Sequence, residues 1–119
     1  MDDIQGYHAH LYYKPQQLAE AKRLGHLIQE TWNFSLGRFH EQAVGPHPEW
    51  SCQVFVPTEK FGDFIPWLML HRGSIDFLIH PCTGDDLLDH TDYALWLGKS
   101  YPLKIERWRE QKLSCETTF

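Results

Sequence analysis

Apolar and polar side chains alternate at period two through Tyr7-His8-Ala9-His10-Leu11-Tyr12-Tyr13. This predicts a strand with His8, His10 and Tyr12 on one face and Tyr7, Ala9 and Leu11 on the other. After Pro15 the spacing changes to three and four residues. Leu18, Ala21, Leu24, Gly25, Ile28 and Trp32 recur among Gln, Glu, Lys and Arg, which predicts an amphipathic helix over 15–31. Residues 37–44 read as a second strand, in which Glu41 interrupts the apolar face and marks a bulge or an edge. Gly45-Pro46-His47-Pro48 then turns the chain, its prolines restricting the backbone on both sides of His47.

The third predicted strand, 51–56, sets Cys52, Val54 and Val56 against Gln53 and Phe55. In the second helical stretch Phe61, Phe64, Ile65, Leu68 and Met69 form the apolar stripe. Pro66 there is expected to mark the start of regular helix, and Gly73 its end. The fourth strand, 74–81, sets Ile75, Phe77 and Ile79 against Asp76, Leu78 and His80. Residues 82–91 form a polar, acidic loop with a short turn, and 93–98 an edge strand or a cover for the core. From Tyr101 onward the pattern fits a segment packed on the domain or lent to a second subunit, and the last six residues are expected to fray.

The order strand, helix, strand, strand, helix, strand predicts an α+β ferredoxin-like sandwich: a four-stranded antiparallel sheet with two helices on one face and the other face open. Within it, strand 51–56 is expected to run parallel beside strand 7–13, and strand 74–81 antiparallel to it. That arrangement gathers His8, His10, His47 and His80 at one end of the sheet. By parity the open face carries His8, His10, Tyr12, Arg38, His40, Gln42, Gln53, Phe55, Asp76 and His80, with His90 entering from the acidic loop or staying at the surface. A cup of imidazoles with an arginine, an amide and an aromatic ring suits a small polar aromatic ligand and a first-row divalent metal.

Length and composition narrow the function classes. The chain's 119 residues, 42% of them hydrophobic, suffice for one domain, 1–119, with 104–119 an extension or a dimer contact. A net charge of −5 without a Lys/Arg run disfavours nucleic acid and anionic membranes as partners. The absence of a signal-peptide pattern or a membrane-length apolar run leads to the expectation of a cytoplasmic protein. Three cysteines without Cys-x-x-Cys spacing argue against a disulfide framework and a cysteine zinc site, with Cys52 expected in the core and Cys115 at the tail surface.

Three elements together, Tyr7-His8-Ala9-His10, Gly45-Pro46-His47-Pro48 and His80-Pro81-Cys82-Thr83-Gly84 running on to Asp89-His90 and Ala94-Leu95-Trp96-Leu97-Gly98, carry a resemblance. Over residues 5–103 the chain resembles the small DOPA 4,5-dioxygenase-like family of aromatic ring-cleaving dioxygenases. The resemblance implies extradiol cleavage of a catechol such as 3,4-dihydroxyphenylalanine, or of a related aromatic acid, by non-haem ferrous iron and dioxygen. Its motif histidines carry over to His8, His10, His47, His80 and His90. On that basis His10, His47 and His80 are expected to hold Fe2+, with zinc or another divalent metal as substitutes. His8 and His90 are the catalytic candidates, and His8 and His10 can exchange roles because they share a face. Arg38, His40 and Phe55 are the candidates for holding substrate, Arg38 through a carboxylate and Phe55 by stacking. The competing expectations are a non-catalytic module binding a small aromatic or a metal, and a dimeric ferredoxin-like interaction protein; for the dioxygenase a homodimer is the expected assembly.

Overall fold

The computed structural model describes residues 3–110, so Cys115 and the frayed tail lie outside the described residues. The elements are β1 (Tyr7–Tyr13), α1 (Leu18–Trp32), β2 (Trp50–Val56), α2 (Phe61–His71), β3 (Asp76–Pro81), α3 (Asp86–His90), β4 (Leu95–Leu97) and α4 (Glu106–Glu110). The strands form one sheet in the order β2-β1-β3-β4, antiparallel throughout. With α1 and α2 on one face and the histidines on the other, the domain is the α+β ferredoxin-like sandwich that the alternation predicts.

The helix-facing parity of the strands also follows the sequence. Ala9, Leu11, Tyr13, Cys52, Val54, Val56, Phe77 and Ile79 pack in one core with Ala21, Leu24 and Ile28 of α1 and Phe64 and Leu68 of α2. Helix α1 starts after a 3-10 turn at Pro15–Gln17, where proline has no intrahelical bond to lose. It stops at Asn33, whose φ of 59° is the left-handed conformation that ends helices. Phe64 is fully buried, with ring centroids 5.6 Å from Trp32 and 5.2 Å from Phe34. Phe64→Ala is expected to destabilise the domain by about 3–5 kcal/mol, read as a lowered denaturant midpoint at unchanged slope.

Four local expectations are corrected. Residues 37–44 form no regular strand. Instead the chain runs irregularly along the outer edge of β2, joined by a bridge from Leu36 to Val54 and by the Gly37 and His40 amides donating to the Gln53 and Ser51 carbonyls at 2.7 and 2.9 Å. The fourth strand of the sheet is β4, at the opposite edge. Strand β2 runs antiparallel to β1, not parallel. The irregular edge segment already completes the split β-α-β unit with β1 and α1, and β2, antiparallel to that segment, fits between the two only by running against both.

Helix α2 begins at Phe61, with Pro66 inside it. At the middle of the helix Pro66 forgoes the bond to the carbonyl of Gly62, which is exposed, so water can reach it. Met69, expected in the apolar stripe, is 58% exposed, because Phe64 and Leu68 define the buried line of α2 and Met69 lies about 100° around the helix from Leu68.

Candidate metal centre

The face of the sheet away from α1 and α2 carries three cross-strand rows. His8 lies opposite both Phe55 and His80. His10 lies between Gln53 and Leu78, and Tyr12 between Ser51 and Asp76. Since β1 runs against β2, the turn before β2 sits beside Tyr12, at the end of β1 away from His8. Its Gly45, at φ 55°, bends the turn back, and His47 lies with its ring centroid 4.3 Å from that of His10. The Lys104 amide holds this turn from above by donating to the Pro46 carbonyl at 2.8 Å.

The last described segment also roofs the cup. The Tyr101 hydroxyl donates to Asp76 Oδ2 at 2.7 Å, and Trp108 of α4 packs on His90 at 4.4 Å between centroids. Five histidines are buried together as a result: His8, His10, His47, His80 and His90. The His80 and His90 rings are 3.9 Å apart, and those of His8 and His80 5.0 Å.

Hydrogen bonds to carbonyl groups identify two of the tautomers, because a carbonyl only accepts. His80 Nδ1–H donates to the Pro81 carbonyl at 2.9 Å, and His90 Nδ1–H donates to the Asp86 carbonyl one helical turn earlier at 2.7 Å. Each neutral ring therefore presents an Nε2 lone pair. His10 Nε2 lies 3.1 Å from His80 Nε2, and donor nitrogens of His10, His80 and His90 fall within 4.8 Å of one another. The His10–His80 contact is a hydrogen bond between the two rings, and the same spacing suits two ligands about 2.1 Å from one ion and at right angles, which stand about 3 Å apart.

Buried and without a hydrogen-bond partner among the described residues, His90 Nε2 marks a lone pair that a metal would occupy. Backbone acceptors on the second ring nitrogen are the usual support of histidine ligands. The donor set thus fits a divalent first-row ion. A second group, His8, His80 and half-buried Cys82, overlaps it through His80.

Burial sets the charge state of the cluster. His10 and His80 are held well below the ordinary imidazole range by desolvation and by neighbouring imidazoles. Burial likewise takes His47 down to about 3 and His90 to about 4. The rings are neutral at physiological pH, the form that binds metal. His47 Nδ1 is hydrogen-bonded to the Tyr12 hydroxyl at 2.6 Å, and burial pushes the Tyr12 phenol upward, so it stays protonated.

A cleft of about 300 Å³ opens where β1 begins and β2 ends, lined by Gln5, His8, Phe34, Ser35, Phe55 and Cys82 among others. His8 stands between this cleft and the cluster, with Phe55 edge-on to it at 5.2 Å. Arg38 and His40 line a separate surface pocket with Phe39, Glu41 and Gln42, on the outer side of β2, and do not line the cleft.

Asp86 was invisible to the sequence reading. It is buried at the start of α3, and its carboxyl is raised to about 6 by burial and by the acidic Asp89, while His8 acts on it in the opposite sense. The available signal was the helix-start pattern at Asp85, whose side chain accepts from the Leu88 amide, with Asp86 and His90 one turn apart.

Fold and site together define a small α+β domain with a buried histidine cluster whose donor atoms converge, and a cleft that meets the cluster at His8. The chain belongs to the Dopa 4,5-dioxygenase family, whose model matches residues 7–107. It is 30% identical over 112 residues to the DOPA 4,5-dioxygenase of Amanita muscaria, covering 87% of this chain and 49% of that protein. It is 34% identical over 126 residues to an uncharacterized 21.2 kDa protein of Botryotinia fuckeliana, covering 89% of this chain and 66% of that one. The chain thus spans about half to two thirds of the length of these curated relatives. A crystal structure from Nostoc punctiforme PCC 73102, described as a "putative dioxygenase", matches with a TM-score of 0.86 at 39% identity, over 90% of this chain and 93% of that one. No helix among the described residues is long and apolar enough to cross a membrane.

Proposed function

We propose that this protein is an extradiol-type dioxygenase that opens the ring of a small catechol, with ferrous iron held by Nε2 of His10, His80 and His90. The observation that carries this reading is the buried set of three neutral imidazoles with convergent donor nitrogens, in a cluster that a cleft meets at His8, in a chain of the Dopa 4,5-dioxygenase family. Convergence of the donor atoms favours His90 as the third ligand: its Nδ1–H is held by the Asp86 carbonyl, and it belongs with His10 and His80 to the group whose donor atoms lie within 4.8 Å of one another, a group that does not include His47. When bound, iron supplies coordination for the catechol and dioxygen oxygens and a path for electrons between them.

The chain's own groups do the rest. His8, at the inner wall of the cleft, takes the proton from one catechol hydroxyl. Phe55 flanks the aromatic ring, and the roof formed by Tyr101 and Trp108 keeps bulk water from the cluster. The reaction consumes one dioxygen per catechol, breaks a ring carbon–carbon bond beside the diol and places both oxygen atoms in the product, so no further reductant is required.

Iron-loaded protein mixed anaerobically with a catechol is expected to perturb the catechol absorption band. On admission of air it should take up one dioxygen per catechol and yield a yellow ring-opened product. Stable catechol binding without oxygen uptake would instead make the domain a binding module.

A further inference from the structure

Gln53 is the one polar side chain of the middle row that the proposed chemistry leaves unused. It is 1% exposed and stands directly across from His10, yet neither its Nε2 nor its Oε1 has a hydrogen-bond partner among the described residues. A buried carboxamide with both halves unmet costs free energy that a native fold does not carry without a purpose. It therefore calls for a ligand that offers an acceptor and a donor together.

The rows indicate how such a ligand would sit. His8 and Phe55 line the cleft, while His10 and Gln53 form the next row inward, about 6.8 Å along the strands. A single aromatic ring seated between His8 and Phe55 in the cleft would point its oxygens toward the second row, which lies behind that wall. When His8 has removed one proton, a catechol presents an anionic oxygen and a neutral hydroxyl side by side, which are the acceptor and the donor that the carboxamide lacks.

We infer that Gln53 reads the vicinal diol of the substrate: its Nε2–H donates to the deprotonated oxygen and its Oε1 accepts from the remaining hydroxyl. This rests on the ring-cleavage reading and names the feature by which that site tells a catechol from a monophenol. A site whose buried polar groups are met only by the correct hydroxyl rejects the analogue that lacks it.

The test compares anaerobic binding of 4-methylcatechol and 4-methylphenol to the iron-loaded wild type and to Gln53→Leu, with iron affinity measured by chelator competition. The variant is expected to keep wild-type iron affinity and thermal stability and its weak monophenol binding, and to lose methylcatechol affinity by about 10- to 100-fold. Gln53→Met, of similar length, is expected to behave alike and serves if the leucine variant does not fold. Equal methylcatechol binding by wild type and variant overturns the role of Gln53 while leaving the ring-cleavage reading intact. A parallel loss for both ligands, or a fall in iron affinity, also overturns it, since either would show a structural part. A wild type that binds no methylcatechol overturns both.

Discussion

His80→Ala is expected to lower divalent-metal affinity by at least about 100-fold and to reduce catechol turnover to background, with the fold retained. The choice of His80 follows from its position. It is the one residue shared by both groups of convergent donors, and its Nε2 faces His10 Nε2 at 3.1 Å. Its Nδ1–H bond to Pro81 holds the ring with the lone pair inward. Alanine removes the donor and leaves the Pro81 carbonyl without that bond, a cost to stability of about 1–3 kcal/mol, which lowers the melting temperature without unfolding the domain at room temperature. Chelator competition and circular dichroism on the same sample separate the two effects. Unchanged metal affinity in a folded variant would remove His80 from the ligand set. His26, exposed on α1, provides the control: His26→Ala should leave metal affinity unaltered.

Acidification of the metal-free protein is the second large effect. The buried imidazoles of His47 and His90 titrate near 3 and 4 when folded and near 6.5 when unfolded, and those of His10 and His80 are lowered in the same direction. Between these limits the unfolded chain binds more protons than the folded one, so stability rises with pH. It is fully present above about pH 6.5 and is lost as pH falls toward the folded values. The shift of His47 alone corresponds to on the order of 5 kcal/mol at the acid limit, a large part of the usual stability of a small domain. The urea midpoint of the apo protein is expected to fall steadily from pH 7 to pH 4.5. Added metal should raise the midpoint most at the upper end of that range, where protons compete least for the nitrogens. A midpoint that stays flat across the interval would mean that the histidines are not buried as neutral rings.

The strands were legible because strict alternation leaves little choice of face: once Ala9, Leu11, Val54 and Ile79 turn toward the helices, His8, His10, Gln53 and His80 must turn away. The four histidines that topology gathered, and His90, which the resemblance added, are those that the fold brings into one buried cluster. The path of the chain was less legible. Phe39 looks like a strand residue, but it packs beside Tyr13 and His26 as part of an irregular edge, a tertiary contact with no local signature. That edge decided the direction of β2 and moved His47 from the His8 end to the Tyr12 end of β1. Helix α3, five residues long, is too short for any periodicity to announce, so buried Asp86 looked like one more acidic loop residue. The packing of Trp108 over His90 joins residues far apart in sequence and has no local signal at all.

Iron binding in the histidine cup and entry of dioxygen into a catechol ring can be read together. The most direct measurement is a single turnover of anaerobically iron-loaded protein with one equivalent of 4-methylcatechol under oxygen-18 gas, followed by product mass analysis. A ring-opened product carrying two heavy oxygen atoms per substrate is expected from the wild type and not from His80→Ala. Recovery of intact catechol, or a quinone without heavy oxygen, would contradict it.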